Sequence, residues 1–136
     1  MQKENLLVLC TGNSCRSQMA EAYFRLYHGD RFDVYSAGIE KHGLNPFAMG
    51  ILLEDGIDLS KHASKTIEEL PKIDFDLIIT VCDHANEVCP IFSGNGQRIH
   101  HNFKDPSKAE GTAQRLIAAF RKTREEIKTF AKDFTV

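Results

Sequence analysis

The chain lacks an excess of charge of either sign. Seventeen lysines and arginines stand against nineteen aspartates and glutamates, a net of −2. No basic surplus is present to hold a nucleic acid. Long apolar runs are also missing, so no segment of the sequence reads as a membrane span. The start, MQKENLLVLC, does not read as a signal peptide. Its apolar stretch is too short, and a polar loop follows where a small-residue cleavage site would lie. These absences point to the cytoplasm. Internal repeats, low-complexity segments and linkers are absent too. The 136 residues therefore read as one domain, 1–136, large enough for a proper core. No apolar zipper is visible, which suggests a monomer. Cysteine is sparse: Cys10, Cys15, Cys82 and Cys89 are all there are. In a cytoplasmic chain such thiols are not a structural disulfide frame. The Cys-x2-Cys knuckle of zinc sites is missing as well. Cys82, His84, Cys89 and His100 or His101 form only a loose set, off the usual ligand spacing.

What is present is a regular alternation of elements. Leu6-Leu7-Val8-Leu9 is a continuous apolar run, too short for a helix, and reads as a strand buried on both faces. Ser17 to His28 keep a helical period, with Met19, Ala20, Tyr23, Phe24 and Tyr27 on one face. FDVYSAG reads as a second strand ended by Gly38. Pro46 opens a helix carrying Phe47, Met49, Ile51, Leu52 and Leu53, closed by Asp55-Gly56. Ser64 is expected to cap a short helix running through Leu70. FDLIITVC is a fully buried strand, and the more polar QRIHHNF belongs at an edge. Thr112 to Phe134 form one long helix with Leu116, Ile117, Phe120, Ile127, Phe130, Ala131 and Phe134 as its buried stripe. The alternation implies an α/β fold, a parallel sheet with helices on both faces.

In such sheets ligands bind at the carboxyl ends of strands. Cys10 ends the first strand, and a helix begins just after Arg16. Between them Gly12 tolerates unusual dihedrals and Asn13 tolerates the left-handed region, so the amides can curl into a cradle. The helix N-terminus adds partial positive charge, and Arg16 can grip two oxygens of a tetrahedral anion. The same field is expected to lower the pKa of Cys10, with Ser17 donating a hydrogen bond to its sulfur. Thr11, Gly12, Asn13, Ser14, Cys15, Arg16 and Ser17 thus read as an oxyanion-binding loop, with Cys10 as nucleophile. The plainer alternative is a buried thiol in an ordinary strand–loop–helix. Cys15 adjoins Arg16 with no loop between them, so it reads as a packing thiol or a spare redox partner. Asp105-Pro106 supplies an acid: Pro106 biases Asp105 away from helix, and an aspartate there protonates a leaving oxygen.

The stretch TVCDHANEVCP sets Cys82 at the end of a buried strand, at the same sheet edge as Cys10. Cys89 follows seven residues later, beside Pro90. A helical segment would separate them by about 10.5 Å. A disulfide needs Cα atoms within roughly 7 Å. The pair can therefore join only if the segment bends: helix-like when reduced, looped when oxidised. A plain core-thiol reading suits Cys82 and suits Cys89 poorly. A phosphatase needs only a nucleophile, an arginine and an acid. Extra thiols make sense if the central atom is reduced, and arsenate is a tetrahedral anion of near-phosphate geometry. Cys10 would attack arsenic, Cys82 the Cys10 sulfur, and Cys89 the Cys82 sulfur. The disulfide moves outward until an external dithiol reduces it.

The segments CTGNSCRSQMAEA, VYSAGI, GLNP, TVCDHANEVCP and the later DP resemble the thioredoxin-coupled arsenate reductases, which are built on the low-molecular-weight tyrosine phosphatase fold. The resemblance implies Cys10 as nucleophile, Cys82 and Cys89 as the relay, Arg16 and Ser17 in the anion loop, and Asp105 as acid. It implies a four-stranded parallel sheet, arsenate detoxification, and thioredoxin as electron donor. No bound cofactor is expected. Some members bind potassium through the equivalents of Asn13, Glu21 and Ser36 and a Thr-Ser-Asp segment. Here that segment reads Ala63-Ser64-Lys65. The expectation is no metal, with Lys65 supplying the charge. Lys104 and His101 stand where the family has an acidic and an aromatic residue near the Asp-Pro. Two alternatives remain open. A low-molecular-weight tyrosine phosphatase would carry aromatics after Asp-Pro, where this chain has Ser107-Lys108-Ala109. A non-catalytic thiol switch would need Cys82 and Cys89 but neither Arg16 nor Asp105.

Overall fold

Leu6, Leu7, Val8 and Leu9 are all fully buried, which a strand achieves only with both faces covered. They lie in β1 (Glu4–Cys10) of a computed structural model that describes residues 3–89 and 96–135. Each such side chain contributes about 1.5–3 kcal/mol of hydrophobic stabilisation. β1 pairs with β2 (Phe32–Gly38) on one side and β3 (Leu77–Thr80) on the other, and β3 pairs with β4 (Gln97–His100). All three pairings are parallel, and the order is β2-β1-β3-β4. The polar β4 is the edge its composition indicates. β3 is shorter than the eight-residue apolar stretch that contains it. Beyond Thr80, Val81 still donates to Leu9 O at 2.9 Å, so the chain keeps company with β1 as far as Cys82.

The helices follow the sequence pattern with two differences. α1 (Arg16–His28) buries Met19, Ala20, Tyr23 and Phe24, but it also buries the polar Ser17, Gln18 and Glu21. α2 (Pro46–Leu53) starts at its proline, with the Asn45 side chain accepting from Phe47 N and Ala48 N. Leu53 is exposed rather than part of its buried face. The expected helix from Ser64 is a single 3-10 turn, Ile67–Glu69, capped by Thr66. Thr66 and Glu69 form the reciprocal capping box that wins the position. Ser64 is used elsewhere, as described below. α3 (Asp83–Val88) is flanked by Cys82 and Cys89 as its caps. A second 3-10 turn, Pro106–Lys108, follows Asp105. α4 (Ala113–Asp133), capped by Thr112, packs on α1 and α2. Its Phe120 is fully buried and stacks on Phe47, with ring centroids 5.5 Å apart. Pro90, noted beside Cys89, lies outside the described residues. Among the described residues no helix is long and apolar enough to cross a membrane.

The register brings the chemistry to one edge. Cys10 is opposite Gly38 at the carboxyl end of β1, and the next strand ends at Thr80, two residues before Cys82. Phe103 N donates to Val81 O, which carries the chain leading to Asp105 across the same edge. Replacing Phe120 with Ala should cost about 3–5 kcal/mol. A urea titration would show a lower midpoint with an unchanged slope.

Candidate active site

Every peptide carbonyl from Cys10 to Ser14 is held from outside the loop. Ile39 N donates to Cys10 O at 3.2 Å, Glu40 N to Thr11 O at 2.9 Å and His42 N to Gly12 O at 2.9 Å. Ser64 Oγ also donates to Gly12 O, at 3.1 Å. Gln18 Nε2 donates to Asn13 O at 3.2 Å, and Asn45 N to Ser14 O at 3.1 Å. In a trans peptide the N–H points opposite the C=O. Tying the carbonyls outward therefore turns the amides of residues 11–15 inward, toward the N-terminus of α1. That is an anion nest closed by a helix dipole.

Sequence reasoning assigned Gly12 a dihedral role. The structure gives a steric one: a Cβ there would lie 2.3 Å from His42 Nδ1. Asn13 does adopt the left-handed conformation, at φ 47°. Its side chain is wholly buried and faces away from the nest. It donates to Ser17 Oγ and Ser36 Oγ and accepts from Gln18 Nε2 and Lys65 N. Ser17 is thus bonded to Asn13 and not, as expected, to the Cys10 sulfur. Ser36 Oγ donates a hydrogen bond to Glu21 Oε1, and the Lys65 ammonium stands 4.0 Å from the same oxygen. Lys65 thus brings positive charge to the cluster of Asn13, Ser36 and Glu21. That residue set does not suit a cation. Among the described residues no group of three His, Cys, Asp or Glu side chains is placed to hold a metal. Of the loose zinc set, His100 has both ring nitrogens engaged by Thr80 and Asp83.

The nest opens into a cavity of about 300 Å³ lined by Cys10, Thr11, Gly12, Ser14, Cys15 and Arg16. Asp105 stands at its rim. Arg16 Nη1 donates to Phe103 O at 2.9 Å, and Nη2 lies 3.6 Å from Asp105 Oδ2. Asp105 Oδ1 accepts from Ser107 N and Oγ, which fixes the carboxyl with Oδ2 toward Arg16. His42, Asn45, Ser107 and Lys108 also line the cavity, and sequence reasoning had not placed them there as a group. Among the described residues, the rim they make carries no phenylalanine, tyrosine or tryptophan ring. The signal available for Asn45 was the GLNP turn after β2. His101 and Lys104 are exposed, and His101 stacks on Phe103 and Phe130.

All four cysteines are free thiols. Burial pushes Cys15 up, with the Asp105 charge adding to it, so Cys15 stays protonated as a packing thiol. Cys89 is half-buried and packs against the core edge, better sheltered than its polar neighbours suggest. Cys10 and Cys82 lie close together at the back of the nest, so the charge state of one bears on the other. That contact, reinforced by Thr11 Oγ1 at 3.2 Å, holds Cys82 down to about 5 against burial. The same contact raises Cys10, with burial adding to it, and outweighs the expected lowering by Arg16.

The chain matches, over residues 5–135, the family model described as low molecular weight phosphotyrosine protein phosphatase. The chain belongs to this family. Within it, an arsenate reductase of Halalkalibacterium halodurans is 51% identical over 97% of this chain and 98% of its own length. An arsenate reductase of Bacillus subtilis is 44% identical over 98% and 96%. A solved arsenate reductase in its oxidized state matches with a TM-score of 0.76 at 27% identity, covering 97% of this chain and 95% of that one.

In this phosphatase-family member the pKa of Cys82 is set mainly by Cys10. Ultraviolet thiolate absorbance should report one thiolate per chain at neutral pH, lost as the pH falls through about 5. Cys10→Ala removes the largest cause and should move that titration upward, toward the ordinary thiol range. An unchanged curve would contradict the influence of Cys10 on Cys82.

Proposed function

We propose that the chain is a thioredoxin-coupled arsenate reductase acting as a single-domain monomer in the cytoplasm. The observation that carries this is Cys82: a second thiol, lowered in pKa, in contact with the nucleophile behind the anion nest. Hydrolysis has no use for it. The close sequence relatives named arsenate reductase support the same reading.

The steps follow from the placement of the groups. A proton shift along the Cys10–Cys82 contact delivers the electron pair to Cys10, which attacks arsenic held by the inward amides and Arg16. Asp105 Oδ2 protonates the departing oxygen. Once Cys10 is bonded to arsenic, Cys82 gives the proton it received from Cys10 to solvent and, as a thiolate, attacks the Cys10 sulfur. The sulfur–arsenic pair stays on arsenic, arsenite leaves, and a Cys10–Cys82 disulfide remains. Cys89 then attacks Cys82 and frees Cys10 as a thiolate. α3 separates Cys82 from Cys89 by about 10.5 Å along its axis, so this step unwinds it. Thioredoxin supplies two electrons and two protons to reduce the Cys82–Cys89 bond. A thiol relay of this kind belongs in a reducing compartment. The rim formed by His42, Asn45, Ser107 and Lys108, with no phenyl or indole ring among the described residues to sandwich an aryl group, favours a small free oxyanion over an aryl ester.

Fully reduced protein mixed with arsenate and no electron donor should release one arsenite per chain. Cys89→Ser should do the same and end as the Cys10–Cys82 disulfide. Cys82→Ser should release none. Arsenite release by Cys82→Ser would remove the reading.

A further inference from the structure

α3 is fastened to the sheet by a chain of polar contacts that the chemistry above does not use. The amide of its first residue, Asp83, donates to Asn102 Oδ1 at 3.0 Å. The Asp83 carboxylate lies 2.7 Å from His100 Nε2. His100 Nδ1 lies 2.7 Å from Thr80 Oγ1, and Thr80 Oγ1 lies 3.4 Å from Asn86 Oδ1. A carboxylate accepts only, so His100 Nε2 donates to Asp83; the one Thr80 hydroxyl proton goes to Asn86 Oδ1, so Nδ1, which also lies 3.2 Å from the Thr80 carbonyl, is the donor to Thr80 Oγ1. The chain Asp83–His100–Thr80–Asn86 thus leaves α3 at its first residue, passes through β4 and β3, and returns to α3 at its fourth residue. It grips the helix that lies between Cys82 and Cys89.

Joining those two cysteines requires Cα atoms within roughly 7 Å. The helix holds them about 10.5 Å apart. Closing the bond means abandoning α3, and with it the Asn86 and Asp83 contacts. We infer that Asp83–His100–Thr80–Asn86 is a latch made only in the dithiol form, which biases the Cys82–Cys89 pair toward reduction. The inference rests on the relay proposed above. Contacts present only in the dithiol state stabilise that state, and by linkage they make the disulfide easier to reduce. The electron balance is unchanged: the disulfide takes two electrons and two protons from an external dithiol and becomes two thiols with α3 re-formed. His100 is a positioning residue here; it touches neither substrate nor a reacting sulfur. The latch would let the last disulfide pass readily to the donor rather than persist on the protein.

The test is the equilibrium between full-length protein and dithiothreitol redox buffers, with the Cys82–Cys89 disulfide quantified by peptide mass mapping. His100→Ala should favour the disulfide about tenfold, a potential about 30 mV more negative. His100→Gln, whose amide can still donate to Asp83, should recover most of the wild-type value. Asn86→Ala breaks only the far end and should shift the equilibrium about threefold. It serves as the readout if His100→Ala fails to fold. The single arsenite released per chain should be unchanged in each variant. Equal potentials in wild type, His100→Ala and Asn86→Ala, with the disulfide formed in all, would overturn the latch alone. A wild type that never forms the Cys82–Cys89 disulfide would overturn the relay and the latch together.

Discussion

The outward tethering of the loop carbonyls is the constraint on which the site depends. Five consecutive peptide groups, from the Cys10 carbonyl to the Cys15 amide, present N–H to the inside because their C=O groups are bonded outside. The donors come from three places: the chain after β2, the segment at Ser64, and Gln18 one turn into α1. Left untied, the same residues would satisfy their own carbonyls with water and lose the common direction of the amides. Close approach makes this tethering possible. A Cβ on Gly38 would meet Glu40 O at 2.2 Å and Thr11 O at 2.7 Å, so only glycine lets β2 turn against the loop. Asn13 fixes the left-handed corner, and its buried side chain ties that corner to α1, β2 and Lys65.

On that frame two chemistries are possible, and the residues behind the nucleophile decide between them. Amides, Arg16 and Asp105 serve any tetrahedral oxyanion and suffice for hydrolysis. In the proposed relay Cys82 adds an electron source. Its proximity to Cys10 favours a thiolate on one sulfur of the pair and a thiol on the other. The chain that follows β3 is what makes this possible. Val81 continues alongside β1 beyond the formal strand end and delivers Cys82 to the back of the nest.

Much of this was legible in the sequence, and what was missed was missed for physical reasons. The buried runs of β1 and β3, the periodicity of α1 and α4, and Pro46 after Asn45 are local signals, and they gave the right elements in the right order. Cys10, Arg16 and Asp105 come together as the loop and Asp-Pro pattern indicated. Long-range partners were not legible. Ser64 resembles a helix cap locally, but its hydroxyl is drawn to Gly12 O, fifty-two residues away in the chain. Asn13 and Ser17 look like substrate-facing loop residues, yet their polar groups are consumed by each other and by Ser36. The lowered thiol was expected at Cys10 from its arginine; the lowering falls at Cys82, because the fold sets it beside Cys10, seventy-two residues earlier, and the Thr11 hydroxyl. His42 and Lys108 show no pattern that marks them as cavity walls. Only the fold brings them to the rim.

The central claim is that the thiols behind the nest turn an oxyanion-binding cradle into a reductase. The most direct test is arsenate-dependent NADPH oxidation in the presence of thioredoxin and thioredoxin reductase, comparing wild type with Cys82→Ser and Cys89→Ser. The account predicts sustained turnover by the wild type and none by either variant. A wild type that oxidises no NADPH yet hydrolyses an aryl phosphate, with both variants hydrolysing it equally well, would contradict it.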